Sequence, residues 1–182
     1  MPSKRAYCIR ICPTQWRHPA CGQHDPPVTT IQDRLETLGL SLPGPYPPHE
    51  PLDAVVVHGG RARTSGQLPR DHAGALVHPG RLGAELSVEN GAEAARWCAL
   101  NALSVLAAEL GSLDRIERVL TVLGFVASAP GFVQQPAVVD GASRLLHDVF
   151  GPAGRHSRSA IGVAALPRGG AVEIEVEVAL HA

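Results

Sequence analysis

The chain predicts an α+β domain, a mixed β-sheet with two helices packed on one face. Three observations predict it. Short strand-like runs rich in Val, Leu and Ile lie near the start of the domain and in its middle, and two alternating runs close it. Two longer stretches between them carry Ala- and Leu-rich helical spacing. Glycine and proline clusters mark each change from one pattern to the other. Strands, helix, strand, helix and two further strands suit an architecture with its helices segregated to one face of the sheet. At 182 residues, a single domain with a real core is expected.

Residues 1–50 differ in character from the rest. Pro2, Pro13, Pro19, Pro26, Pro27, Pro43, Pro45, Pro47 and Pro48 punctuate them. Only Thr29 to Leu40 shows helical spacing, with Ile31, Leu35 and Leu38 on one stripe and Gly39 as the stop. The expectation is a mobile leader over residues 1–50, holding one short helix and a Pro-rich linker from Leu42 to Pro51. Cys8, Cys12, His18, Cys21 and His24 are five potential zinc ligands, but no paired Cys-x2-Cys supports a site, so no metal is expected.

The domain then occupies residues 51–182. Ala54 to His58 reads as a strand, Gly59-Gly60 as a turn and Arg61 to Ser65 as a second strand. Gly74 to Arg81 is a loop or short strand. Ser87 is a good N-cap for a helix from Val88 to Leu110, with Glu89 near its positive end and Gly111 as its stop. Asp114 to Val126 is rich in Val, Leu and Ile and reads as a strand. Gln135 to Phe150 reads as the second helix, closed by Gly151-Pro152. The end of the chain reads as a hairpin, turning at Pro167-Arg168-Gly169-Gly170. Its second strand alternates Glu173, Glu175 and Glu177 with Val172, Ile174, Val176 and Val178, which buries one face and wets the other.

Composition removes several function classes. Hydrophobic residues make up 45% and aromatics 4%, so the core must be built from Ala, Val and Leu. A net charge of -1 without a basic cluster gives no reason to expect a nucleic-acid partner. No run approaches the ~18 apolar residues of a membrane span. The first residues lack an apolar signal core, and the four cysteines form no disulfide framework. A reduced, cytoplasmic protein is expected. Walker loops, dinucleotide glycine fingerprints and His-Glu-x-x-His are absent, so no cofactor is expected.

Two separated motifs carry a resemblance. The segment Thr64-Ser65-Gly66-Gln67-Leu68-Pro69 and the end from Arg158-Ser159 through Leu166-Pro167 to Val172-Glu173-Ile174-Glu175 resemble the YjgF/RidA family, the reactive-intermediate (imine/enamine) deaminases. Leu113 to Val119 resembles the family's strand entry between them, and the likeness spans residues 50 to 180 or so. It implies a chorismate-mutase-like fold and a homotrimer with ligand pockets at the subunit clefts. The low aromatic content and the apolar face left on such a sheet fit an oligomer on physical grounds too.

The resemblance implies that Arg158 binds a substrate carboxylate, for which its planar guanidinium fork is suited. It implies that Glu173 orients the attacking water, work a carboxylate can do as a base. On a tight hairpin the two would share a face but lie roughly 20 Å apart at strand rise. Ser65 and Gly66 offer a hydroxyl and uncluttered backbone to a carbonyl or carboxylate oxygen. His156, two residues before Arg158, would project to the same side and could act as acid or base.

Three positions depart from the family pattern: Ala160 stands where cysteine is usual, Leu52 where tyrosine is expected, and Pro130 near an expected asparagine. The wording of Arg96 to Ala102 and of Gly154 to Ser159 resembles a divergent branch. The expected activity is cofactor-free hydrolysis of 2-imino or 2-enamino acids to 2-oxo acids and ammonia. Two alternatives stay open: a non-catalytic trimeric module binding small carboxylates, and a specialised secondary-metabolism enzyme acting on a bulkier imine or amine.

Overall fold

The structure, a computed structural model, describes residues 30–46 and 50–182. The expected leader mobility over residues 1–29 and the potential zinc ligands there lie outside the described residues. The elements in chain order are α1 (Ile31–Thr37), β1 (Val55–His58), β2 (Arg61–Thr64), α2 (Val88–Leu110), β3 (Ile116–Ala127), α3 (Gln135–Phe150), β4 (Ser157–Val163) and β5 (Val172–Leu180). The strands form one mixed sheet in the order β1-β2-β5-β3-β4. Helices α2 and α3 cover one face, as expected.

Local chemistry fixes the helix ends. The Ser87 hydroxyl accepts from the Asn90 amide and the Asn90 side chain accepts from the Ser87 amide, closing a capping box at the start of α2. Gly111 ends the helix at φ 77°. Alanines let α2 lie close to its neighbours, and Gly141 of α3 completes the fit, since a Cβ there would sit 1.9 Å from the Ala92 carbonyl oxygen. Between helices and sheet, Val119, Val122, Val126, Ile174, Val176 and Val178 are fully buried against Ala95, Cys98, Leu103, Val139 and Leu146. Each large side chain so buried is worth about 1.5–3 kcal/mol.

The expected terminal hairpin is not formed. β5 pairs antiparallel with both β2 and β3, while β4 pairs in parallel with the other side of β3. The turn residues do reverse the chain, with Arg168 at φ 57° and Gly169 at φ 75°. Their turn carries it across the end of β3, whose Ala127 amide donates to the Ala171 carbonyl. Turn composition announces a reversal but not which strand will lie between the two arms. The twelve-residue β3, with its fully buried valines, takes that place.

The packed unit also reaches back before residue 51. Leu35 of α1 is 1% exposed within the core. Arg34 donates to the Asp148 carbonyl, Ser104 to the Pro43 carbonyl, and the Tyr46 hydroxyl to the Asp71 carbonyl. Residues 30–46 are therefore held to the domain by burial and hydrogen bonds.

Candidate functional site

Residues paired across the ladder point to the same face of the sheet, so register tells where each side chain goes. Arg158 pairs with the fully buried Val122 and projects to the helix side. Glu173 pairs with Phe125 and projects to the opposite, open side. Within one chain the two residues expected to work together are thus on opposite faces. The shared face required by a hairpin disappears with the hairpin.

On the open side the sequence expectations converge. Gln67 and Ile174 exchange backbone hydrogen bonds of 2.9 and 3.0 Å, which brings Gly66 against Glu173. A Cβ on Gly66 would lie 1.8 Å from Glu173 Oε1, so the carboxylate occupies the space a side chain would take. Gly66 adopts no left-handed φ. Space rather than backbone freedom makes it glycine. Burial, with the charge of Glu175 second, raises the Glu173 pKa. Next door, Ser65 donates its hydroxyl to the Asp53 carbonyl at 2.6 Å and lines a hollow of about 270 Å³ with Val56, Arg63 and Glu175. Arg63 pairs with Glu175, and Arg61 with Glu177. Cys98, fully buried behind β5, donates to the Val172 carbonyl, and burial pushes its thiol well above the usual value.

On the helix side, Arg158 Nη1 donates to Asp140 Oδ1 at 2.8 Å and to Ser143 Oγ at 2.9 Å. Its Nε and Nη2 donate to nothing among the described residues. His156 joins the same group, its Nε2 3.1 Å from Ser143 Oγ. Burial lowers the His156 pKa, the bond to the Gly154 carbonyl opposes this, and the Arg158 charge adds to the lowering. Asp140 and Ser143 were missed by sequence reasoning. The available signal was their i, i+3 spacing on α3, which puts two polar groups on one side of a helix.

Two of the three departing positions can be read from packing and exposure. Ala160 projects to the helix side and packs against the core, and Leu52 is 61% exposed. Among the described residues no cluster of His, Cys, Asp or Glu is placed to hold a metal ion, and no helix is long and apolar enough to cross a membrane.

Comparison with known proteins agrees with this architecture. Residues 32–173 match the family described as "YjgF/chorismate mutase-like, putative endoribonuclease". Protein TCP17 of Trypanosoma cruzi is 45% identical over 152 residues, covering 83% of this chain and 94% of that protein. The crystal structure of Atu1372 from Agrobacterium tumefaciens, a protein of unknown function, is 38% identical with a TM-score of 0.77, covering 84% of this chain and 94% of that one. A "putative endoribonuclease" from Shewanella oneidensis MR-1 is 32% identical with a TM-score of 0.80, covering 83% and 99%. With its motifs, its sheet order and these relatives in agreement, the chain belongs to the YjgF/chorismate mutase-like family.

Proposed function

We propose that the protein hydrolyses 2-imino or 2-enamino acids to 2-oxo acids and ammonia, at a site shared between neighbouring copies of a trimer. The observation that carries this reading is the half-buried Glu173 carboxylate seated in the space left by Gly66. A carboxylate of raised proton affinity can take a proton from water and return it within one cycle. Water adds to the imine carbon as Glu173 accepts its proton. That proton passes to nitrogen to give a carbinolamine; Glu173 then takes the carbinolamine hydroxyl proton and delivers it to the same nitrogen as the C–N bond breaks, releasing ammonia and leaving a carbonyl.

The substrate carboxylate is held by Arg158 of an adjacent copy. Arg158 lies on β4, an edge strand, and its Nε–Nη2 edge, unbonded among the described residues, offers two parallel donors to a carboxylate. The open face offers apolar surface for assembly, with Val56 57% and Ile161 44% exposed.

The test is ammonia release from 2-iminopropionate and 2-iminobutyrate generated in situ. Glu173→Gln and Arg158→Ala should each lose about 10²-fold or more of the enzyme-dependent rate. Co-expressing the two variants should restore about a quarter of the sites, because a cleft with both groups intact then forms between unlike copies. A mixture as inactive as its components would sink the shared site. Wild type no faster than uncatalysed hydrolysis would sink the imine reading itself. The carboxylate-binding alternative would then predict ligand binding that needs Arg158 and ignores Glu173.

A further inference from the structure

Where α3, the turn at Gly151–Gly154 and the start of β4 meet, the surface holds an open depression of about 580 Å³. It is lined by Ser143, His147, Gly154, Arg155, His156 and Arg158. Its hydrogen bonds can be assigned donor by donor. His156 Nδ1 lies 2.6 Å from the Gly154 carbonyl oxygen, which can only accept. Nδ1 therefore carries the proton, and in the neutral ring Nε2 is left with its lone pair. The 3.1 Å contact between Nε2 and Ser143 Oγ must then have the hydroxyl as donor. The same oxygen accepts from Arg158 Nη1 at 2.9 Å. A hydroxyl aimed at a base, a base oriented by a third group and a cation on the hydroxyl oxygen together make an activated nucleophile.

We propose that Ser143 and His156 form a nucleophile–base dyad that accepts an acyl group from an activated ester, with anionic acyl groups favoured by Arg155 and Arg158. Ser143 Oγ attacks the ester carbonyl while His156 Nε2 takes the hydroxyl proton. The bond to the leaving oxygen breaks, and that oxygen takes the proton from His156. Water then attacks the acyl-serine by the same route, releasing a carboxylic acid and restoring the hydroxyl. Burial lowers the His156 pKa, which favours the neutral form this step needs; the charged or titratable groups around it are Arg155 and Arg158 on its own segment and Asp140 and His147 on α3. The dyad is complete within one chain and on the other side of the sheet from Glu173; it shares Arg158 with the proposed imine site, but its readout is acylation of Ser143 rather than ammonia, so the failure of one reading is distinguishable from the failure of the other.

The experiment treats the full-length protein with 4-nitrophenyl acetate and with mono-(4-nitrophenyl) succinate. A burst of 4-nitrophenolate is expected, larger in rate for the succinate ester, with an acyl adduct mapped by peptide mass spectrometry to Ser143. Lys4 is the only lysine in the chain, and adventitious acylation of its cysteines and histidines is told apart by where the adduct maps. Ser143→Ala should abolish the adduct. His156→Gln, which keeps the serine, should slow acylation by about 10²-fold or more. The proposal is overturned if wild type gives no burst, if its adduct maps elsewhere, or if His156→Gln acylates as fast as wild type. Mapping on wild type needs no variant to fold, and ammonia release plays no part in it.

Discussion

Glu173 and Arg158 sit on consecutive strands of the chain, yet they are held by different means on opposite faces of the sheet. Glu173 is placed by backbone: the Gln67–Ile174 bridge sets the register, and the missing side chain of Gly66 leaves room for the carboxylate. Arg158 is placed by side chains, Asp140 and Ser143 both binding its Nη1. The fold alone fixes the first site. The second depends on three polar residues chosen along α3 and β4, so the two should fail differently.

The largest effect is expected at Gly66. In Gly66→Ala the new Cβ meets the Glu173 side chain from Oε1 back to Cγ, and that side chain can swing away while the backbone stays. Imine hydrolysis should fall about 10²-fold, with unfolding free energy changed by no more than about 0.5 kcal/mol. Gly141→Ala is the contrast, because its Cβ meets the Ala92 carbonyl, which is backbone. There the two helices must part, and about 3 kcal/mol of stability should be lost. Urea denaturation beside ammonia release separates the two. Loss of stability in Gly66→Ala without loss of rate would show that Glu173 is packing rather than chemistry.

A smaller and opposite pair of effects follows from titration. Glu173 binds its proton more tightly folded than unfolded. As pH rises, the unfolded chain loses this proton first, so stability falls from the ordinary carboxylate range up to the raised folded value and stays lower above it. Glu173→Gln should therefore be more stable than wild type at neutral pH, with the difference vanishing in acid. His156 runs the other way, its folded pKa being depressed. Its contribution is present above the ordinary histidine value of about 6.5 and is lost as pH falls toward the folded value. His156→Gln should flatten that acid-side slope. Unfolding curves of each variant across the range pH 4–8 or so read both signs, and a shared sign would contradict burial as the common cause, since burial disfavours the charged form of an acid and of a base alike and so moves their pKa values in opposite directions.

Most of the fold was legible because local patterns determined it. The Ser87 cap, the Gly111 stop and the alternation of β5 each follow from neighbouring residues. What escaped was non-local. Nothing in Pro167 to Gly170 says that β3 will lie between the strands flanking that turn. That error moved Arg158 to the other face. Gly66 and Glu173 were both legible as motif residues, yet their contact is written in a register between β5 and the Gln67 segment, far apart in sequence. Asp140 and Ser143 looked like the ordinary polar side of an amphipathic helix, since their partner arrives only with β4.

The smallest expected effect tests whether Arg158 is built into its face or merely resting on it. The Arg158 and Asp140 side chains are 22% and 40% exposed, and the guanidinium is further held by Ser143. Asp140→Ala should cost about 1 kcal/mol, since it strips a partner from a cation that is mostly withdrawn from water. Arg61→Ala breaks a more exposed pair, Arg61 with Glu177 at 65% and 26%, and should change stability by no more than about 0.5 kcal/mol. Equal costs in urea denaturation would mean that Asp140 does not anchor Arg158 any better than a surface pair. The guanidinium would then be free to turn toward a neighbouring copy without giving anything up. A clear excess at Asp140 would instead mean that substrate binding must be achieved with the ion pair in place, through the Nε–Nη2 edge alone.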